Sequence, residues 1–465
     1  MKNVLKGGGP GRPVRIPDTE ISLERTSGAD EVGVVFRWRG EVYRAIAAQY
    51  EVFYRQLLDS PLYGELTTLG MVETEITEHR IDGFDLVVKP KTIPVVSYPT
   101  EWTSAMLKDA AMMTCDIELR LLRSGYTLKD AHPWNILFDG WRPVFVDIGS
   151  ICAKGPAPVR TFLHEFRTDF LYPLLFLDSE ASPLVDVAMN AYLGLPKLPI
   201  YRLLFWLMPM RHWLYHFGMD RKARRVARRS PEAAVEILRR QIERLPGHHG
   251  EKNPVWSLSG VEADWERSVN TALGDIVDKL RPTSVLKIGA DESWYRLAAA
   301  CCKSRVIIAD ADDDRANRIY ERVKNERLNS LVLKVDPILA SPPHDRWGIH
   351  RPAEERLRCD VVFMFNTARY FEGRRKKRFS DVAWRLSRFS RKAALVGYKP
   401  AQYGDSEGSA KTLTLASARE TLGEYFEKVC SYAELDRDRW MLLCLEPRRN
   451  TDPELRERTK FVLKE

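Results

Sequence analysis

Val285-Leu286-Lys287-Ile288-Gly289 is a short, mostly apolar run closed by a glycine, and Val306-Ile307-Ile308-Ala309-Asp310 repeats the pattern with an acid at its end. Gly289 and Asp310 stand 21 positions apart, which leaves room for one helix between two strands. Leu331–Val335, Val361–Phe365 and Ala393–Gly397 continue the rhythm, with helical patterns between them. Strands buried on both faces read as continuous apolar runs, and alternation with helices predicts a parallel sheet covered on both sides. Ligands of such sheets sit outside the carboxyl ends of the strands. There a glycine lets the backbone approach closely, and an acid about 20 residues on hydrogen-bonds a ribose. Gly289 and Asp310 fit that spacing. Asp336 stands at the end of the third strand, and Asp360 opens the fourth.

This arrangement resembles the class I methyltransferases, a Rossmann-like fold. The resemblance implies S-adenosylmethionine as cofactor, held by Gly289, Asp310, Asp336 and Asp360. The family's first loop reads Asp-x-Gly-x-x-x-Gly. Here Lys287 takes the place of the acid, and Ala290, Asp291, Glu292 and Ser293 supply no second glycine.

The N-terminal half carries a different constellation. Lys129-Asp130-Ala131-His132-Pro133-Trp134-Asn135-Ile136-Leu137-Phe138 is followed by Pro143-Val144-Phe145-Val146-Asp147. An acid, an asparagine five residues on, and a second acid delivered by a hairpin are the groups that phosphoryl transfer to a hydroxyl requires. Asp130 would accept the proton, while Asn135 and Asp147 would hold the metal of Mg-ATP. The stretch resembles the catalytic loop of the aminoglycoside phosphotransferase and protein-kinase superfamily, which implies a kinase-like α+β domain. Upstream, a strand from Val32 through Val34, Val35 and Phe36 turns at Arg39-Gly40 and returns through Val42 and Tyr43. No glycine-rich phosphate loop precedes Val42, and Arg44 occupies the place of the strand lysine. The metal-free alternative has Lys129 or Arg142 neutralising Asp147. A long helix from Glu101 to Ser124 stops at Gly125.

At 465 residues the chain exceeds one ordinary core. The divisions expected are a flexible arm over 1–29, a kinase-like domain over 30–218, a basic helical linker over 219–255 and a methyltransferase-like domain over 256–465. Seven cysteines, an odd number without a C-x-x-C pair, argue against a disulfide framework and for a reducing compartment. The basic N-terminus has no apolar core of a secretory signal, so the localisation expected is cytoplasmic. The net charge of +8 is concentrated in Arg221–Arg244 and in Arg374–Arg378. No nucleic-acid motif accompanies either run, and no nucleic-acid partner is expected. The apolar stretch Tyr201–Phe217 is interrupted by Pro209, Arg211 and His212 and is too short to span a bilayer. Its leading reading is a buried helix pair, with membrane-surface contact as the lesser one.

Finally, Ile93-Pro94-Val95-Val96-Ser97-Tyr98-Pro99-Thr100-Glu101-Trp102, Leu107-Lys108-Asp109-Ala110-Ala111, Leu128-Lys129-Asp130-Ala131 and Tyr295-Arg296-Leu297-Ala298-Ala299 resemble the rhizobial host-specific nodulation proteins of the NoeA type, a bacterial methyltransferase family. After its fourth strand that family carries a His-His-Leu type stretch, where this chain has Asn366-Thr367-Ala368-Arg369-Tyr370. The resemblance implies methyl transfer to a saccharide or related small molecule. Two alternatives stay open: a small-molecule or sugar kinase using Asp130, Asn135 and Asp147, and a non-catalytic scaffold with both sites decayed. The oligomeric state leaves no signal in the sequence.

Overall fold

Trp38 and Glu41 face each other across Arg39-Gly40, both at positive φ (49° and 83°), the mirror-image turn that matches the twist of the strands it joins. In the computed structural model, residues 14–24, 30–178, 206, 208–245, 260–289, 297, 301, 304–339, 351–365, 378–399, 413–435 and 438–448 are described. The chain divides into two compact units, residues 1–99 with 107–246, and residues 100–106 with 247–465.

In the first unit, β1 (Val14–Arg15), β2 (Ser22–Leu23), β3 (Gly33–Trp38) and β4 (Glu41–Ile46) precede α1 (Ala48–Leu58) and α2 (Pro61–Leu69). β5 (Thr74–Ile76), β6 (His79–Arg80) and β7 (Leu86–Pro90) follow. A five-stranded antiparallel sheet has the order β2-β3-β4-β7-β5. Phe36, Tyr43, Ala45 and Val87 form its core with Ile16 and Ile81. Ile16 is 1% exposed, β1 pairs with β6, and β2 pairs with β3. Residues 14–24 are therefore bound to the sheet, a correction to the flexible arm expected over 1–29. An apolar side chain sealed against Phe36 and Trp38 holds the segment down.

α3 (Ser104–Arg123) stops before Gly125 (φ 84°), as the glycine predicts. β8 (Tyr126–Leu128) pairs with β11 (Ile151–Ala153), and β9 (Ile136–Asp139) forms a hairpin with β10 (Arg142–Phe145). α4 (Pro156–Phe166), a π-helical turn over Arg167–Leu171 and α5 (Tyr172–Asp178) lead on to α6 (Met210–Val226) and α7 (Pro231–Glu243). The expected linker over 219–255 is corrected here. Val235, Leu238 and Ile242 of α7 are fully buried, so residues 219–245 are core-forming helix and the unit boundary falls after 246.

The second unit contains α8 (Gly260–Leu280), β12 (Ser284–Ile288), β13 (Arg305–Ala309), α9 (Asp313–Asn325), β14 (Ser330–Leu333), α10 (Ala353–Arg356) and β15 (Cys359–Met364). α11 (Phe379–Phe389), β16 (Ser390–Tyr398), α12 (Leu415–Gly423), β17 (Phe426–Glu434) and β18 (Trp440–Pro447) complete it. Its seven-stranded sheet has the order β14-β13-β12-β15-β16-β18-β17. The first five strands are parallel, and β18 runs antiparallel to both β16 and β17. All five strands read from the sequence are present; the antiparallel β17 and β18 are additions to them. Residues 100–106 also belong to this unit. Glu101 accepts from Arg356 in a buried two-bond pair, Nη1 at 2.9 Å, and Asn317 Oδ1 accepts the Ala105 N–H at 3.0 Å. The loop Ala290–Ser293, Tyr295, Arg296, Ala298, Ala299, Asn366–Tyr370 and Arg374–Lys377 lie outside the described residues.

Glu118 on α3 is fully buried and accepts from Thr127 Oγ1 (2.6 Å) and from the Leu128 N–H (2.9 Å). Burial pushes its carboxyl up to about 8, and those hydrogen bonds offset only part of the rise. A raised folded-state value means that Glu118 contributes most stability below the ordinary carboxylate value. That contribution is lost as pH rises towards about 8. Glu118→Gln should therefore flatten the fall in melting temperature across this window, as read by thermal unfolding at a series of pH values. An unchanged slope would assign the dependence to other groups.

Candidate functional site

Strand register alone assembles the carboxyl edge of the parallel sheet. Ile288 pairs with Ala309 and Ala309 with Leu333, so the residues that follow emerge side by side. Gly289 donates its N–H to Ala309 O at 2.8 Å and Asp310 donates to Leu333 O at 3.1 Å. Gly289 has φ +89°, a conformation that favours glycine. The Asp310 carboxylate is 1% exposed. Its Oδ1 accepts from the Asp312 N–H (2.8 Å) and from Arg315 Nη2 (3.0 Å). Asp336 Oδ1 accepts from the N–H groups of Ile338 (3.0 Å) and Leu339 (3.3 Å), which closes the turn after β14. The structure thus brings Gly289, Asp310 and Asp336 to neighbouring strand ends. Strand order also reverses at β12, where chain-consecutive strands depart in opposite directions, and an open α/β sheet leaves its crevice at such a point.

Asp360 is elsewhere, a correction to its expected place in the cofactor set. It is the second residue of β15 and lies at the amino edge, where it accepts from Thr283 N, Thr283 Oγ1 and Lys392 Nζ, each at 3.0 Å. Burial pushes its carboxyl up, but the bonds from Thr283 and Lys392 outweigh this and bring it below the ordinary carboxylate value. It ties together the starts of three strands. The strand's length separates it from Gly289.

Lys287 is fully buried. Its ammonium donates to the carbonyl oxygens of Gly289 (3.0 Å) and Ile288 (3.3 Å) and stands 5.1 Å from the centre of the Phe365 ring. Carbonyl dipoles and the ring face compensate the charge where the sheet ends.

In the N-terminal unit, Asp130, Asn135 and Asp147 also come together. Asn135 Nδ2 donates to Asp130 O (3.2 Å) and Ser150 Oγ (3.3 Å), and Ser150 Oγ donates to Asp147 Oδ2 (3.1 Å). Asp147 Oδ1 caps the next turn by accepting the Gly149 N–H at 3.0 Å. The same oxygen accepts from Arg44 Nη1 at 2.6 Å, and Arg44 Nη2 bonds Asp30. Lys129 lies near Asp30 (3.7 Å) and Glu31 (3.6 Å), and Arg142 stacks over the Trp141 ring. Neither takes the neutralising role expected of it; Arg44 does. Burial raises the Asp130 carboxyl, opposed by Lys129 and reinforced by Asp147 and Glu31.

Gly149 makes room for this guanidinium. A Cβ there would stand 2.1 Å from Arg44 Nη2 and 2.6 Å from Cζ. The donor set thus does not fit the metal of Mg-ATP. One metal-ligand candidate is bonded to a buried cation, and the other turns its amide donors into the loop. No group of three or more potential metal ligands occurs among the described residues. The sequence marked Arg44 only as a departure and Gly149 only as part of an Asp-x-Gly pattern after Asp147; Asp30 and Ser150 carried no signal of their own.

No protein-family model matches the chain. It is similar to nodulation protein NoeA of Rhizobium meliloti (strain 1021), 26% identical over 357 residues that span 69% of this chain and 72% of that protein. The NoeA-type resemblance read from the sequence is thereby borne out. Similar solved structures include magnesium protoporphyrin IX methyltransferase (ChlM) from Synechocystis PCC 6803 with bound SAM. That structure is 11% identical, covers 42% of this chain and 86% of its own, and has a TM-score of 0.28. Another is the N-methyltransferase NodS from Bradyrhizobium japonicum WM9, 14% identical, with 40% and 98% covered and a TM-score of 0.28.

Arg44 is 8% exposed at its side chain and its partners Asp147 and Asp30 are 21% and 25% exposed. Removing a cation shared by two half-buried carboxylates should cost about 2–3 kcal/mol. Arg44→Met should lose that much by chemical denaturation and recover part of it in combination with Asp147→Asn. Calorimetric titration of the wild type with ATP should show no magnesium-dependent heat. Magnesium-dependent binding abolished by Asp147→Asn would instead mean that Arg44 yields its place.

Proposed function

We propose that the second unit is an S-adenosylmethionine-dependent methyltransferase domain, acting on a saccharide or related small molecule. One observation carries the reading: Gly289 and the buried Asp310 emerge side by side at the carboxyl edge, where strand order reverses. The residues fit the adenosyl part of that cofactor. The Asp310 carboxylate, held in place by Asp312 and Arg315, would accept from the ribose hydroxyls, and Asp336, one strand further, would face the adenine. Gly289 would let the backbone pass close beneath the donor. When bound, S-adenosylmethionine supplies an electrophilic methyl group. The chain's own residues hold and orient it. Lys287 beneath Gly289 sets this edge apart from the acid-bearing loop of class I enzymes and favours anionic groups near that loop. Similarity to nodulation protein NoeA supports a role in nodulation, and the saccharide acceptor rests on the family resemblance read from the sequence.

The first unit is read as a kinase-like scaffold rather than a phosphotransferase. The Asp130, Asn135 and Asp147 loop supports the likeness, and Arg44 on Asp147 argues against metal-dependent transfer.

S-adenosylhomocysteine should raise the melting temperature of the purified chain. A ligand at a hundred times its dissociation constant stabilises the folded state by about 2.7 kcal/mol. Asp310→Ala should abolish that shift, and Asp310→Asn, which keeps acceptors for Asp312 and Arg315, should weaken it without loss of fold. Asp360→Asn should leave ligand affinity unchanged while lowering stability. No shift in the wild type would sink the methyltransferase reading, and a full shift in Asp310→Ala would move the pocket elsewhere.

A further inference from the structure

α6 is built inside out. Its inward face carries His216, Asp220 and Ala223, all buried and two of them polar. Gln241 Nε2 lies 3.0 Å from His216 Nδ1 and donates to His216 O at 3.2 Å. Asp220 accepts from Arg167 Nε at 2.6 Å and Arg224 Nε at 2.9 Å. His216 and Asp220 are thus both partnered within the unit. The first half of the outward face exposes large apolar side chains: Met210 is 62% exposed, Leu214 56%, and Trp206 just upstream 82%. A helix on a water-facing surface normally has the opposite arrangement.

The outward face has a direction along its length. Met210, Leu214, Phe217, Arg221 and Arg225 succeed one another at helical spacing, apolar for two turns and then basic. The Arg221 guanidinium lies 5.7 Å from the centre of the Phe217 ring, where the two characters meet. Residues 208–229 contain seven Lys and Arg and a single acid, and that acid, Asp220, is turned inward. Two such faces would repel each other, which disfavours a second copy as the cover. A nucleic acid would match the charge but leave Met210, Leu214 and Trp206 without use. A surface of anionic headgroups over acyl chains matches both halves at once. No helix among the described residues is long and apolar enough to cross a membrane, so the match is to the interface and not to a span.

We infer that the outward face of α6, with Trp206, is a docking surface for an anionic lipid bilayer. Met210, Leu214 and Trp206 enter the headgroup boundary, and Arg221 and Arg225 contact lipid phosphates. The helix lies in the plane of the membrane. The leading sequence reading, a buried helix pair over Tyr201–Phe217, is corrected for the described part of that stretch by these exposures.

The test is co-sedimentation of the full chain with vesicles of phosphatidylcholine alone and of phosphatidylcholine with about a third phosphatidylglycerol. The wild type should partition onto the anionic vesicles only, and less at high salt. Met210→Ser combined with Leu214→Ser should lower that partition roughly tenfold. Arg221→Gln with Arg225→Gln should lower it by a similar factor, and circular dichroism should match the wild type for both pairs. Should the first pair fail to fold, the second carries the test, since both its side chains are exposed. Absence of the wild type from anionic vesicles overturns the proposal. So does undiminished partition of the folded Met210→Ser, Leu214→Ser chain. Binding to short duplex DNA or to an acidic polypeptide, with no vesicle binding, assigns the face to that partner and likewise overturns it.

Discussion

Asp147 stands two residues past the hairpin strand β10, and a partly buried carboxylate there destabilises the fold unless a charge or a set of donors meets it. The charge arrives from 103 residues upstream, on β4, the central strand of the five-stranded sheet. β4 is fixed on both sides, with Arg44 opposite Val35 in β3 and Val88 in β7, so the guanidinium reaches a defined point. A planar fork of donors serves Asp147 and Asp30 together, which a lysine ammonium would do less specifically. Gly149 is required because any side chain would overlap the fork. Tyr54 donates to the carbonyl oxygens of Gly149 (3.2 Å) and Ile151 (3.0 Å), and burial keeps its phenol protonated. One ion pair therefore couples the sheet, the loop at 129–135 and the hairpin at 136–147.

The second unit solves its charge problem by position. Acids at the carboxyl edge, Asp310 and Asp336, accept backbone N–H groups and shape the turns where a ligand would rest. The acid at the amino edge, Asp360, accepts from Thr283 and Lys392 and fastens strand beginnings. Two carboxylates that look alike in sequence thus have opposite roles, and the direction of a parallel strand separates them.

α6 extends the same logic to a helix. Two of its polar side chains, His216 and Asp220, are held inside the unit by Gln241 and Arg167, while Met210 and Leu214 are left outside. Burying Asp220 requires two guanidiniums. That demand, rather than hydrophobic burial, fixes which way the helix faces.

The sequence alone determined what depends on local pattern. Five apolar runs gave the five parallel strands, since a strand buried on both faces has to be apolar throughout. Arg39-Gly40 gave the hairpin turn and Gly125 the end of α3, because both depend on backbone conformations that few residues adopt. The spacing from Gly289 to Asp310 placed two strand ends. Only the tertiary structure decided the rest. β17 was not legible because it mixes exposed charge with burial, whereas β18 is an apolar run that only its pairing with β16 and β17 identifies as a strand. The helices over 219–245 read as linker because their charge is conspicuous, while Val235, Leu238 and Ile242 count only once something packs on them. The sequence could place Asp360 at a strand but not say which edge its carboxylate serves. Nor could it name Arg44 as the partner of Asp147, because the distance along the chain between the two carries no record of their distance in space.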